Sequence, residues 1–168
     1  GGQAGNLLPG RLIDPPAPVA TNPNFGGDVN ATTMYAVGAN RVTAHWLPLS
    51  ASPLRSSALR SLGAMANTFA NESFMDELAA SAGADPLEFR LRHLNDPRAA
   101  AVLRAAADQF GWQPRTAPSK SGSGQGLAFV RYVTALTYVA TMVDLNVDPK
   151  SGQVTLKRVV VAHDCGLI

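Results

Sequence analysis

The sequence contains little charge, few aromatic residues and a single cysteine. Of its 168 residues, 15% are charged and 7% are aromatic, and Cys165 is the one cysteine. A single cysteine excludes a disulfide within the chain and a structural zinc site built from several cysteines. The 14 basic and 12 acidic residues are dispersed along the chain. The net charge of +2 therefore does not indicate a nucleic-acid partner.

Long apolar runs are also missing. No stretch approaches the roughly 20 apolar residues that a transmembrane helix needs. The hydrophobic fraction of 46% and the mean hydropathy of +0.02 are typical of a folded globular domain and not of a disordered chain. A chain of 168 residues is long enough for one hydrophobic core.

Both ends of the chain look cut. The sequence begins Gly1-Gly2-Gln3, without methionine or a signal-like apolar segment, and it stops just after a strand-like apolar run. We therefore expect a piece of a longer protein, and the missing leader predicts nothing about the compartment.

The amino-terminal third is poor in helix signals. Residues 1–30 contain six glycines and five prolines, which predicts an extended segment. Residues 32–49 are richer in β-branched and aromatic side chains around the turn-like Gly38-Ala39-Asn40. This pattern predicts two short strands.

Residues 64–110 read as a group of helices. The first is predicted over 64–82, and Gly83 ends it. Asp85-Pro86 and Asp96-Pro97 each combine a capping aspartate with a proline at the first helical position, so each predicts a helix start. In the first helix, we take as the apolar positions Met65, Phe69, Phe74 and Leu78. Its carboxylates, Glu72, Asp76 and Glu77, are interpreted as a solvated side and not as metal ligands.

The carboxy-terminal part is predicted to be a strand meander. Residues 113–124 have the composition of a linker, and residues 125–163 are rich in valine, threonine and tyrosine with a turn at 148–152. Alternating polar and apolar residues in 143–148 favour a hairpin with one wet face. Antiparallel strands thus flank a central group of helices, which predicts an α+β fold for 31–168.

Two short clusters suggest chemistry only weakly. In His163-Asp164-Cys165 an imidazole could lower the thiol pKa, but no third group orients the pair, so a small buried thiol at a strand end is the preferred interpretation. The glycines of 122–126 precede a strand, whereas a phosphate loop follows one. They are interpreted as a flexible entry to the strand. The isolated His45 and His93 receive no functional role.

The loop Leu59-Arg60-Ser61-Leu62-Gly63 is the strongest candidate site. Its arginine and its free backbone N–H groups precede a long helix, where they could face an anionic or metal-oxo ligand. Many helices begin in a similar way, so these residues alone do not establish a site.

The same loop carries a family resemblance. Leu59-Arg60-Ser61-Leu62-Gly63-Ala64-Met65, with the following Phe69-Ala70-Asn71-Glu72-Ser73-Phe74-Met75-Asp76-Glu77-Leu78-Ala79, resembles the cofactor-proximal loop and helix of the molybdenum-binding large subunit of the xanthine dehydrogenase and aldehyde oxidase family. Asp85-Pro86-Leu87-Glu88-Phe89-Arg90 and Asp164-Cys165-Gly166 extend the resemblance along residues 32–168. Within that family, the isoquinoline 1-oxidoreductase and nicotinate dehydrogenase type is the most similar, together with aldehyde dehydrogenase relatives.

The resemblance implies an enzyme of a definite kind. Such oxidoreductases oxidise an aldehyde or hydroxylate an aromatic N-heterocycle with oxygen from water. The resemblance also implies a molybdopterin cofactor, expected as the cytosine dinucleotide, and partners: the remainder of the large subunit, a small subunit with [2Fe-2S] clusters and a cytochrome c acceptor. Related enzymes occur in the bacterial cytoplasm and at the periplasmic face of the inner membrane, so the compartment stays open.

The resemblance assigns roles to four residues. Leu59, Arg60 and Gly63 would lie on the cofactor side, with Gly63 permitting the sharp turn into the helix. Leu62 stands where purine-oxidising relatives have a substrate-stacking phenylalanine, which argues against purines and makes Leu62 a substrate-pocket residue. His163 and Cys165 remain structural.

No catalytic residue and no metal ligand is assigned within these 168 residues. The family's catalytic glutamate belongs to a carboxy-terminal segment, so we expect the fragment to be inactive alone. Two alternatives stay open: a non-catalytic scaffold or interaction module, and a Cys-His thiol enzyme.

Overall fold

The computed structural model describes residues 26–45, 59–117, 119 and 121–167. Three helices are followed by three strands: α1 (Ala64–Ser81), α2 (Pro86–Arg92), α3 (Pro97–Phe110), β1 (Ser123–Arg131), β2 (Tyr138–Val147) and β3 (Val154–Asp164). The strands form one antiparallel sheet in the order β1-β2-β3. The α+β prediction is confirmed. No helix in the described part of the chain has the length and hydropathy to cross a membrane.

Local sequence signals set the helix boundaries. The Asp85 carboxylate accepts hydrogen bonds from the backbone N–H groups of Leu87 and Glu88, at 3.0 and 3.1 Å. Asp96 caps α3 in the same way, and a proline follows each of these aspartates. Gly83 and Gly111 end their helices with positive φ angles of 61° and 68°. These starts and stops match the sequence prediction.

The strand meander forms as predicted, with a different start. β1 begins at Ser123, so the last two residues of the predicted linker 113–124 belong to a strand. The Gly122 carbonyl accepts a hydrogen bond from the Val147 N–H at 2.7 Å, because the glycine lies directly beside the neighbouring strand. The entry to β1 is thus paired backbone and not the flexible segment that its glycines suggest.

The strand pair predicted in 32–49 is not found in residues 32–45, and residues 46–49 lie outside the described part of the chain. Residues 32–45 consist of bends and irregular backbone. The Ala36 N–H donates to the His93 carbonyl at 2.7 Å, and the Tyr35 side chain is buried in the core. Met34, Tyr35 and Val37 anchor this loop on the core, so tertiary packing overrides their strand propensity.

The core lies between α3 and one face of the sheet. α3 contributes Val102, Leu103, Ala106 and Phe110, and the sheet contributes residues that alternate along β1 and β2. The sheet residues of the core are Leu127, Phe129, Tyr138, Ala140 and Met142. α1 and α2 join this core through Met75 and Leu87.

The outward side of α1 differs from expectation. Met65, Phe69 and Phe74 are 67%, 75% and 58% exposed, whereas Glu72 and Met75 are buried. The predicted apolar face is therefore wrong for three of its four residues, whereas Leu78 packs against the core. Apolar residues surround α1 on nearly all sides, so hydrophobic spacing alone did not identify the side that packs inward.

Candidate functional site

The segment Leu59–Gly63 forms a tight bend that leads into α1. Ser61 and Leu62 both have left-handed backbone angles, with φ of 72° and 55°. Such angles cost about 1–3 kcal/mol at each non-glycine residue and persist where the surroundings enforce them. The Leu62 N–H donates to the Leu59 carbonyl at 3.0 Å, and the Ala64 N–H donates to the Ser61 carbonyl at 2.9 Å. These bonds hold the bend closed.

The bend presents a cation and an apolar side chain at the surface. Leu59 is 74% exposed, and Arg60 is also exposed. No side chain caps α1, whose first residue follows Gly63. Because the N–H groups of Leu62, Gly63 and Ala64 are bonded within the fold, the donor that the bend itself offers to an anionic group is the Arg60 guanidinium. The bend is therefore not buried in hydrophobic interior.

Gly63 is required for close approach and not for an unusual turn. Its φ and ψ of −76° and −12° are open to any residue. A methyl group at Gly63, however, would overlap the Gly27 carbonyl oxygen. The role in the turn predicted for Gly63 belongs instead to Ser61 and Leu62. The Gly63 N–H donates to the Gly26 carbonyl at 2.7 Å, which joins the bend to a second loop.

This second loop, Gly26–Asn30, is fixed by two asparagines of α1. The Asn67 side-chain amide donates to the carbonyls of Gly27 and Val29, both at 2.9 Å. The Asn71 amide donates to the Asn30 carbonyl at 2.9 Å. Successive turns of one helix thus hold the loop against the bend.

A third loop, after β1, joins the same region. The Asn30 amide donates to the Arg131 carbonyl at 2.8 Å, and its oxygen accepts from the Val133 N–H at 3.0 Å. Val133 and Thr134 again have left-handed backbone, with φ of 57° and 53°. Asn30 is itself left-handed, with a φ of 60°. Three loops with left-handed residues are therefore connected through Asn30 and the first turns of α1, and the sequence patterns indicate only one of them.

Below these loops lies a buried polar network centred on Glu72. Its carboxylate accepts hydrogen bonds from the Tyr35 hydroxyl, the Arg90 Nε and the Phe129 N–H, each at 2.9 Å. Arg90 is fully buried and also donates to Asp76 at 2.7 Å and to the Glu72 carbonyl at 2.8 Å. The network ties the loop at Tyr35 to α1, α2 and β1.

The network is structural. Burial raises the pKa of Glu72, and the Arg90 guanidinium opposes this by stabilising the carboxylate. Burial, with Glu72 next to the hydroxyl, also raises the pKa of Tyr35 above its ordinary value. The expectation that Glu72 belongs to a solvated side is wrong. Its spacing from Met75 and Ala79 places it on the buried stripe of α1, which is the signal that the sequence offered.

Neither of two cavities in the described part of the chain is lined by residues 59–63. One, between Asn30, Glu72 and Arg131, has a volume of about 20 Å³, room for a single water molecule. The other, of about 250 Å³, is lined by Asp76, Pro86 and Arg115. Among the described residues, no group of three or more His, Cys, Asp or Glu side chains is arranged to hold a metal ion.

The carboxy-terminal cluster is open to solvent. Cys165 is exposed, so the predicted small buried thiol is wrong. His163 is exposed at the end of β3, and Asp164 forms an ion pair with Arg98 at 2.7 Å. The Arg98 guanidinium and the Gly166 N–H lower the pKa of Asp164. Asp164 thus joins the strand end to α3 and does not orient His163.

Comparison with curated proteins gives several relatives, whereas no family model matches the chain. The chain is 38% identical over 155 residues to a nicotinate dehydrogenase subunit of Pseudomonas putida, a match that covers 84% of the chain and 13% of that protein. It is 36% identical over 111 residues to the beta subunit of isoquinoline 1-oxidoreductase of Brevundimonas diminuta, covering 66% of the chain and 14% of the relative.

The name of a third relative includes a metal, molybdenum. The chain is 34% identical over 114 residues to the aldehyde oxidoreductase molybdenum-binding subunit PaoC of Escherichia coli K12, covering 59% of the chain and 15% of PaoC. The chain therefore spans about one seventh of the length of each of these relatives.

Proposed function

Because this chain corresponds to a segment of the molybdenum-binding large subunits of the xanthine dehydrogenase and aldehyde oxidase family, we propose that it forms one wall of a molybdenum-cofactor site. The intact protein would be an oxidoreductase that acts on an aldehyde or an aromatic N-heterocycle. The names of the relatives, which include both nicotinate and aldehyde enzymes, support this range of substrates.

The bend Leu59–Gly63 is our candidate for the cofactor side. The observation that carries this assignment is an exposed guanidinium on a bend whose left-handed backbone is held by its own hydrogen bonds and by the Gly26–Asn30 loop. A guanidinium on a backbone fixed in this way suits an anionic group. The donor set fits one side of a molybdopterin group, and no described cavity encloses it. The other sides would come from the remainder of the large subunit.

Four residues of the bend then have defined roles. Arg60 would hold the anionic part of the cofactor, with Leu59 beside it, and Gly63 would let the Gly26–Asn30 loop support the bend from behind. Leu62, half-buried against Gly26, would form part of the substrate wall and disfavour purines. The bound cofactor would supply the metal-centred oxidation that no side chain of this segment provides.

The finer assignments are extensions of the same proposal. The cofactor would be molybdopterin cytosine dinucleotide. Electrons would leave through a small subunit with [2Fe-2S] clusters, with a cytochrome c as acceptor in some assemblies. The 168-residue segment alone would be inactive because the catalytic glutamate of the resemblance lies outside it.

Substitution of Arg60 in the assembled enzyme tests this function. A charge-assisted hydrogen bond contributes about 1.5–3 kcal/mol, so Arg60→Ala should lower kcat/KM by roughly 10- to 100-fold or reduce the bound molybdenum. Arg60→Lys should recover part of the loss, because it keeps the charge without the planar fork. Arg92→Ala, an exposed arginine on α2, is the matched control and should change neither quantity.

Unchanged kcat/KM and molybdenum content in Arg60→Ala would overturn the assignment. An assembled protein that binds no molybdenum and oxidises neither substrate class would instead favour the scaffold alternative. The thiol-enzyme alternative predicts that alkylation of Cys165 abolishes an activity.

A further inference from the structure

Within the part of the chain that the structure describes, the side of the sheet that faces away from α3 is apolar and only partly covered. Paired residues share a face in an antiparallel sheet, so the register places β2 and β3 side chains together on this side. We define the outer sheet face as the side chains of Val139, Val143, Leu145, Leu156, Val159 and Val161. Leu156, Val159 and Val161 are 60%, 49% and 58% exposed.

The sequence of β3 is typical of a strand buried on both faces. Val159-Val160-Val161-Ala162 is a continuous apolar run, whereas a sheet with one wet face alternates polar and apolar residues. Val160 and Ala162 pack against the core, which leaves Val159 and Val161 outside. In residues 143–148 the structure does not separate a wet face from a dry one, because the four residues 143–146 are all half-buried and Val147 and Asp148 are both exposed.

The Arg158 guanidinium of β3 does not lie across this face. The Arg158 guanidinium donates to two carbonyls at the carboxyl end of α3, at 2.6 and 3.2 Å, so it is turned toward that helix. Lys157 falls within the register shift between β2 and β3. The polar residues that the register adds to the outer side are Thr141, opposite Val161, and His163, at the strand end. Monomeric proteins rarely leave a large contiguous apolar surface exposed.

We propose that the outer sheet face is covered by an apolar layer of the same large subunit, supplied by polypeptide outside these 168 residues. The relatives carry about seven times the length of this chain, so ample polypeptide surrounds the corresponding segment. A face lined by valine and leucine selects an equally apolar helix or sheet surface. This inference rests on the proposed function only in treating the chain as part of such a subunit.

Site-directed labelling in the assembled large subunit tests the inference. Val161→Cys is introduced together with Cys165→Ser, and maleimide modification at position 161 is followed by peptide-resolved mass spectrometry in native and unfolded protein. We expect labelling at position 161 to be at least about 100-fold slower in the native large subunit than in the unfolded protein. The matched control is Ser151→Cys, in the exposed turn 148–152, which should react at nearly the unfolded rate.

Labelling of the 168-residue chain with the same substitutions completes the test. Here we expect rapid modification at position 161, because Val161 is more than half exposed. Three results would overturn the proposal: equal reactivity at 161 and 151 in the large subunit, protection at 161 in the monomeric 168-residue chain, or protection together with a dimer in sedimentation. The second result would indicate cover by this chain itself, and the third would indicate a second copy.

The outcome is independent of the cofactor. Protection at position 161 requires neither molybdenum nor turnover, so it is separable from the result of the Arg60 substitutions. If position 161 is labelled rapidly while Arg60→Ala still loses activity or molybdenum, only the proposal of a covered sheet face is rejected. If position 161 is protected while Arg60→Ala changes neither quantity, only the proposal of a cofactor wall is rejected.

Discussion

Gly63 illustrates how a single residue decides the geometry of the candidate site. Its backbone angles are ordinary, but the Gly27 carbonyl occupies the space in which any side chain would begin. Sequence inspection identified the glycine as important and gave the wrong reason. The contact joins residues that are 36 positions apart, and local sequence rules do not reach across such a distance.

Replacement of Gly63 by alanine should displace the Gly26–Asn30 loop. The added methyl group would overlap the Gly27 carbonyl oxygen, so the loop must move. We expect a loss of about 1–3 kcal/mol in the free energy of unfolding, measured by urea denaturation. Gly38→Ala is the control, because a methyl group at Gly38 meets no atom within 4 Å and should change stability by less than about 0.5 kcal/mol. Equal stability of the two variants would contradict this account.

In the helices, short-range sequence signals determine the ends, whereas long-range contacts determine which side is buried. The aspartate-proline starts of α2 and α3, and the glycines after α1 and α3, are short-range devices, so the sequence predicted them correctly. The inward side of α1 was not predictable in the same way. Glu72 is buried because Arg90, 18 residues later, donates to it, and a single sequence does not show that pairing.

Removal of Arg90 should destabilise the fold strongly. Arg90→Ala leaves the Glu72 carboxylate buried without its cation, which costs about 3–5 kcal/mol. Arg92→Ala, on the exposed side of the same helix, should cost less than about 0.5 kcal/mol. Chemical denaturation of both variants checks the difference. A small effect of Arg90→Ala would mean that the network contributes little to stability.

The aspartate that caps α3 makes the stability of the fold depend on pH. The Tyr138 hydroxyl donates to the Asp96 carboxylate at 2.7 Å, and this bond is the main cause that lowers the Asp96 pKa. Because the folded pKa lies below the unfolded one, Asp96 stabilises the fold above its unfolded pKa of about 4, and this contribution is lost as the pH falls through the folded pKa.

Tyr138→Phe should raise the Asp96 pKa toward its ordinary value. The substitution removes the donated hydrogen bond, so the carboxylate loses part of its stabilisation relative to the acid. Carboxyl titration by NMR measures the shift, and Tyr132→Phe serves as a control that should leave the Asp96 pKa unchanged. An Asp96 pKa that stays low in Tyr138→Phe would assign the shift to the backbone N–H groups of the cap instead.

For the whole molecule, the sequence predicts the fold class and the family, but it does not predict which apolar side chains lie at the surface. The sheet order follows from adjacent hairpins, and the loop Leu59–Gly63 carried the resemblance that the relatives support. The outward position of Met65, Phe69 and Val161 depends on which side of each element packs inward. An apolar pattern predicts that a side of an element is suited to burial, but it does not distinguish which side packs against the rest of this chain.

The central claim is that the bend bearing Arg60 faces the molybdenum cofactor in the assembled enzyme. A crystal structure of the cofactor-loaded large subunit measures this directly as the distance from the Arg60 guanidinium nitrogens to the nearest anionic oxygen of the cofactor. We predict a charge-assisted contact of about 2.7–2.9 Å. An Arg60 side chain directed away from the bound cofactor, with other polypeptide between them, would contradict the account.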